Sequence, residues 1–281
     1  MSNPILALIP SGYKTSKVYS ILPNDASGDF TFSRSSYGTR VRQDGLIEEV
    51  VNNVPRLDWS SENCPILLLE AESTNYATNN KNMAGYSNVG GSNPLPTKTS
   101  NYAVAPDGTF TASRFQTSVT GTNYSLIQIP TTASDGSGGG YYTVSFYAKS
   151  NTGSSQVIAF YGQSSGTTTR TVTTEWTRLQ FTGFRLANTK YAYIGAISSS
   201  DSDLDFLMWG AQLELVNADP SSLIFTSGSP TTRTIDDCSV TVPSGVTTIT
   251  ETFEDNTTNV ISVIPATYTI SEGRIKKIIM E

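Results

Sequence analysis

The sequence predicts an all-β protein: an antiparallel jelly-roll β-sandwich with an N-terminal β-hairpin unit and a small C-terminal β-meander. Three observations lead there. Apolar residues alternate over short runs, helical periodicity is missing over almost the whole chain, and clusters of Gly, Asn, Asp, Ser and Pro separate the runs. The 281 residues suffice for one large β domain or two smaller ones.

The first readable element is Gly38 to Val50, two alternating runs around Asp44-Gly45. That dipeptide accepts the φ > 0 positions of a tight hairpin. Ile66 to Leu69, between Pro65 and Glu70, is continuously apolar and predicts a strand covered on both faces. From Asn75 to about Ser100 the chain is rich in Asn, Gly and Ser without pattern, which predicts a long loop or linker. In Tyr141 to Lys149, Tyr142, Val144, Phe146 and Ala148 share one face and Tyr141, Thr143, Ser145, Tyr147 and Lys149 the other. Strands are then expected at 156–161, 168–173, 177–184, 191–197 and 205–215, with Leu207, Trp209, Ala211 and Leu213 as the inward row of the last. Runs at 247–252, 260–263, 267–270 and 275–279 predict the meander, which is short enough to need another surface for stability. Arg274, Lys276 and Lys277 in its last strand are expected to guard a sheet edge.

Charge narrows the function. With 18 Lys+Arg against 24 Asp+Glu and a net charge of -6, no basic patch offers an electrostatic grip on nucleic acid. The chain has no His, which removes the usual general base, the Ser/His and Cys/His pairs and the commonest metal ligand. Two cysteines exclude zinc sites built on CxxC pairs. Ile5 to Ile9 is too short and lacks the basic flank of a signal peptide, and no apolar run is long enough for a membrane span.

Candidate chemistry is sparse. Among the acid pairs Glu48/Glu49, Glu70/Glu72 and Asp236/Asp237, only Glu70/Glu72 share a strand face, and surface charge or ion pairing is the better reading. Asp201, Asp203 and Asp205 open like a calcium loop, but Phe206 and Gln212 stand where the turn glycine and the bidentate Glu belong. Arg34, Arg40, Arg42 and Arg56 lie among acids and are expected to form ion pairs. No catalytic residue, metal ligand or cofactor site is expected, and the chain is not read as an enzyme. The outward tyrosines are different, because an aromatic face stacks on the C–H face of a sugar while amides take its hydroxyls. Tyr147, Tyr161, Tyr191 and Tyr193, with Gln180 as amide partner, are the candidate glycan-binding residues.

Two resemblances add to this. Tyr142 to Lys149, Glu175-Trp176-Thr177-Arg178-Leu179 and Phe206 to Glu214 resemble carbohydrate-binding modules of the galactose-binding, jelly-roll type. Phe30-Thr31-Phe32-Ser33-Arg34-Ser35-Ser36, Thr39-Arg40-Val41, Asp44 to Glu48, Asn53 to Asp58 and Leu67-Leu68-Leu69-Glu70 resemble the opening module of tailed-bacteriophage fibre and appendage proteins. Trp209 to Glu214, followed by Thr232-Arg233-Thr234-Ile235-Asp236, matches the same family. Ser73 stands where that family has Arg and Phe225 where it has Pro. The resemblance implies a structural component of a virion, made in the bacterial cytoplasm, as a head fibre, tail fibre or decoration protein. It implies a homo-oligomer, with a trimer preferred, that meets other virion proteins and is able to touch host-surface glycan. Residues 1–75 would be an N-terminal β unit, virion anchor and part of the sandwich, 100–239 the jelly-roll sandwich, and 240–281 an oligomerisation or docking meander. The rival readings are a secreted polysaccharide-binding module and a glycan depolymerase. Within the matched motifs, Arg and Asp of 54–58 and 232–236 are expected to pair across neighbouring strands and bring Cys64 and Cys238 close together.

Overall fold

A computed structural model describes residues 3–59, 64–91, 93–119, 123–130, 140–162, 166–185, 192–197, 203–216 and 218–281. Among them the only helical element is the 3-10 turn Met83–Gly85; the rest of the regular structure is strand, so the chain is all-β as its alternation requires. It divides into two compact units, Thr74–Thr231 and a second built from Met1–Ser73 with Thr232–Glu281.

Unit Thr74–Thr231 is a sandwich of two antiparallel five-stranded sheets. The first has the spatial order Ser87–Gly90, Ser125–Ile129, Ala192–Ala196, Gln156–Gly162, Gly166–Val172; the second has Thr97–Ala103, Ala112–Ser118, Asp203–Glu214, Gly140–Ser150, Thr177–Arg185. Both give alternate residues to one core, which includes Ile127, Ile158, Phe160 and Ile194 from the first sheet and Phe115, Val144, Phe146 and Phe206 from the second. Phe146 and Phe160 stack at 5.3 Å across the gap. The stretch expected as a linker contains Ser87–Gly90 and Thr97–Ala103, the edge strands of the two sheets. Edge strands with Ser, Asn, Thr and Gly bury few side chains, so they carry no apolar alternation to read.

The inward row expected on Asp203–Glu214 is also corrected. Ala211 and Leu213 do enter the core, but with Leu204, Phe206 and Met208 rather than with Leu207 and Trp209. Ser145 faces Gln212 while Tyr147 faces Trp209, so Phe146 opposes two residues. This is a β-bulge, with Gly210 at φ +69°, and the extra residue reverses the parity of the strand. Trp209 therefore lies on the outer face, where it is nevertheless fully buried.

Unit Met1–Ser73 with Thr232–Glu281 holds a second core, including Leu6, Phe30, Leu67, Ile249 and Ile278. One sheet runs Thr258–Ile261, Ile249–Phe253, Gly273–Met280, Ile66–Leu69, Arg56–Asp58, with Leu6–Leu8 also on Gly273–Met280. The other runs Tyr13–Lys14, Lys17–Val18, Phe30–Ser33, Asp237–Thr241, Thr267–Thr269. The C-terminal strands thus have their supporting surface in the N-terminal ones, and Thr267–Thr269 leaves its sequence neighbours for the second sheet. Ile66–Leu69 is covered on both faces as expected. Gly273–Met280 is an interior strand, so Arg274 guards no edge: it binds Glu254 and Asp58. The hairpin Gly38–Val41 with Ile47–Val50 turns through Gln43-Asp44-Gly45: Arg42 N–H donates to Leu46 O, Gly45 N–H to Arg42 O, and only Gly45 has φ > 0. That is a three-residue loop with a glycine bulge, not the tightest hairpin turn.

The distant Arg and Asp residues do pair, within this unit. Asp236 accepts hydrogen bonds from Arg34 Nη1 at 3.0 Å and from Arg56 Nη2, and Glu70 accepts from Arg56 Nη1 at 2.6 Å. Arg233 Nη2 lies 3.5 Å from Glu70. Burial pushes the Arg34 pKa down, whereas for Arg56 the charges of Glu70 and Asp236 outweigh burial and raise it. Arg40 pairs with Glu48 and Arg42 with Asp44. Cys64 and Cys238 are both free thiols, one exposed and one buried, so the segments are joined by ion pairs without a disulfide.

Candidate functional site

The first sheet of the sandwich turns an uncharged face outward. Ile158 and Phe160 point into the core, so Ala159 and Tyr161 point away from it; on the next strand Ile194 points in and Tyr193 and Gly195 point out. The strand register aligns these residues in rows across the whole sheet. One row is Thr167, Tyr161, Tyr193, Gln128, Ser87, and the next is Thr169, Ala159, Gly195, Leu126, Val89. Neither row contains Asp, Glu, Lys or Arg.

In the second row Ala159 and Gly195 carry little or no side chain, next to the larger Tyr161 and Tyr193 of the first. Gly195 has φ +149°, and a Cβ there would stand 2.4 Å from the Ser125 carbonyl oxygen, so the position requires glycine. The same face holds a recess of about 380 Å³, lined by Tyr124, Tyr161, Tyr193 and Thr167 together with Val89, Leu126 and Ile197. The Tyr161 and Tyr193 rings are 5.9 Å apart and inclined at 42°, and Tyr161 is 37% exposed. Apolar side chains, tilted aromatic rings and a few hydroxyls suit an uncharged, polyhydroxylated ligand with an apolar ring face.

Two of the other expected residues, Tyr147 and Gln180, are not part of this recess. Tyr147 and Gln180 lie on the second sheet, on Gly140–Ser150 and Thr177–Arg185. Tyr147 is half-buried, its ring 5.9 Å from Trp209 and 5.8 Å from the Arg178 guanidinium. Gln180 Nε2 donates to Asp219 at 2.6 Å. Tyr191 lies outside the described residues. The five candidates therefore do not form one platform: Tyr161 and Tyr193 meet, and Tyr147 and Gln180 belong to the opposite side of the sandwich.

That opposite side is covered by its own chain. Asn75 Nδ2 donates to the carbonyls of Ala211 and Ile224, and its Oδ1 accepts from the amides of Ala77 and Leu213. Asn80 and Thr226 bond to each other's backbone amides. Gln212 and Glu214 hold Ser221, with Glu214 Oε1 accepting from the Ser221 hydroxyl at 2.6 Å. These bonds hold 221–226 against the outward residues of the sheet, while 75–80 runs alongside Asp203–Glu214, with Tyr76 N–H donating to Leu213 O and Gly210 N–H to Asn80 O.

Glu70 and Asp236 converge on arginines rather than on open space. Asp205 accepts from Arg114 Nε at 2.8 Å and from Asn151, and the Arg114 bond holds its carboxyl below the usual carboxylate range. No group of three or more metal-ligating acids, Cys or His occurs among the described residues. Sequence reasoning missed Tyr124, Gln128, Thr167 and Gly195. Leu126-Ile127-Gln128-Ile129 was a readable apolar run, but cross-strand register is what brings Gln128 beside Tyr193.

No family model matches the chain, and no curated protein does. Among solved structures it is similar to the CBM22-1–GH10 modules of endo-1,4-beta-D-xylanase 10B from Clostridium thermocellum, complexed with xylohexaose. That match has 16% identity and a TM-score of 0.32, over 54% of this chain and 30% of the other. It is also similar to exo-beta-1,3-galactanase from Phanerochaete chrysosporium with galactose, at 14% identity and a TM-score of 0.29, over 65% of this chain and 42% of that one. The chain thus spans less than half the length of either.

Proposed function

We propose that this chain is a non-enzymatic adhesion protein that holds an uncharged glycan on the Tyr161/Tyr193 face of its sandwich. The observation that carries this reading is the tilted tyrosine pair lining an open, charge-free recess. The ligand would run along the row from Thr167 to Ser87, across the strands; four inter-strand steps of about 4.8 Å make a track of about 19 Å. Tyr161 and Tyr193 stack on ring faces, and Gln128 and Thr167 take hydroxyls.

The finer reading is a bacteriophage virion component, a head fibre, tail fibre or decoration protein, touching host-surface glycan through repeated copies. It is supported by the resemblance of the 30–70 and 209–236 motifs and by a hydroxyl-rich surface of low charge. Repeated display raises the avidity of weak sites without improving any one of them. A secreted polysaccharide-binding module would use the same face, and the two readings differ in where the protein is found: in purified particles or in culture fluid.

The test is binding to a glycan array by the wild type and by Tyr161→Ala/Tyr193→Ala, with folding checked by circular dichroism. The proposal predicts hits among neutral glycans that weaken by about tenfold or more in the variant, the scale of roughly 1.4 kcal/mol. Hits unchanged in a folded variant, or none at all, would remove the glycan reading and leave an architectural role.

A further inference from the structure

The second unit has an edge of unusual character. Thr258–Ile261 ends its sheet, pairing on one side with Ile249–Phe253. No backbone hydrogen bond reaches its other side among the described residues. Which groups face outward follows from the register. Phe253 N–H donates to Thr257 O at 3.0 Å, and counting from that bonded pair, Glu251/Asn259 and Ile249/Ile261 are bonded pairs, while Thr252/Thr258 and Thr250/Val260 are non-bonded. The N–H and C=O groups of Thr258 and Val260 therefore point away from the sheet, into solvent.

Edge strands are normally protected by charge, proline or brevity, and this one, four residues long, has brevity alone. The longer edge strands of the sandwich, Thr97–Ala103, Gly166–Val172 and Thr177–Arg185, each carry Lys or Arg. Here there is no charged residue between Asp255 and Glu272. Val260 is 60% exposed and Val263 87%. An exposed, uncharged, β-branched edge is a template for another strand.

We propose that this edge pairs antiparallel with the same edge of a second copy, centred on Val260. A two-fold axis at Val260 sets Val260 against its own counterpart, Thr258 against Ser262 and Asn259 against Ile261. The outward backbone groups of Thr258 and Val260 then become bonded pairs, and the two Val260 side chains cover each other on one face. Self-complementarity identifies the occupant: on the Val260 face apolar meets apolar at the centre and hydroxyl meets hydroxyl beside it, Asn259 meets Ile261 on the other face, and no like charges are opposed. The contact is isologous and closes at two copies; a trimer would have to use another surface.

The test is size-exclusion chromatography with light scattering on the full chain, at rising concentration. The wild type should reach two copies, and Val260→Lys, which opposes two ammonium groups at the axis, should halve the mass. Mixing Val260→Lys with Val260→Glu should restore the pair. A single-copy wild type, an assembly unmoved by Val260→Lys, or a failed charge-swap rescue overturns the proposal. Amide hydrogen exchange needs no variant: Thr258 and Val260 should slow as concentration rises, and exchange that stays fast would contradict the pairing.

Discussion

Tyr147 and Tyr161 occupy equivalent positions in their strands, each pointing away from the sandwich core, and their surroundings differ completely. Tyr147 is packed against Trp209 and Arg178 beneath a cover stitched down by Asn75, Asn80, Gln212 and Thr226. Tyr161 faces outward into an open recess with Tyr193 beside it. An outward tyrosine is a binding residue only where no segment of the chain lies over it, and what lies over it is decided by buried polar side chains rather than by the strand itself.

The largest expected effect breaks the cover. Asn75→Ala removes a fully buried amide that makes four hydrogen bonds to backbone groups, and each orphaned group costs about 1–3 kcal/mol. Chemical denaturation should show a loss of at least about 3 kcal/mol. A loss below about 0.5 kcal/mol would mean that the cover is not held in this way.

Next comes the exchange of roles between the tyrosines. Tyr147→Ala should lower stability by about 2 kcal/mol, through lost packing on Trp209, and leave glycan binding unchanged. Tyr161→Ala should do the reverse, costing binding and less than about 1 kcal/mol of stability. Equilibrium unfolding and calorimetric titration of both variants separate these outcomes.

The division between the faces was only partly legible in the sequence. Alternation in 141–149 correctly assigned Tyr142, Val144, Phe146 and Ala148 to the core. It could not register the bulge at Gly210, because one inserted residue looks like uninterrupted strand until the partner is known. Nor could it show that Asn75, in a stretch without pattern, would cap the opposite sheet: an amide bonding to residues over a hundred positions away leaves no local signal. Gln180, an amide sought for sugar, is engaged by Asp219, 39 positions on, which the sequence likewise does not signal. In the second unit the Arg and Asp motifs were readable as partners because like motifs recur at both ends of the chain.

A smaller effect sharpens the contrast in charge. The Arg114 bond lowers the pKa of Asp205 on the second sheet, so its contribution is present above the ordinary carboxylate range and fades as pH falls through the lowered value. Asp205→Asn should flatten the acid limb of the stability curve by less than about 1 kcal/mol, because the pair is partly solvated. If the curve is unchanged, the pair contributes nothing measurable. The first sheet's recess has no such group, so ligand binding there should keep its affinity between low and high salt; a steep salt dependence would point to a charged site elsewhere.

The most direct measurement is a titration of the wild-type protein with neutral oligosaccharides, followed through the tyrosine ring signals by nuclear magnetic resonance. Shifts concentrated at Tyr161 and Tyr193, with Tyr147 silent, are the predicted result. Shifts at Tyr147, or no ring responding to any saccharide that the array retains, would contradict a binding face on the open sheet.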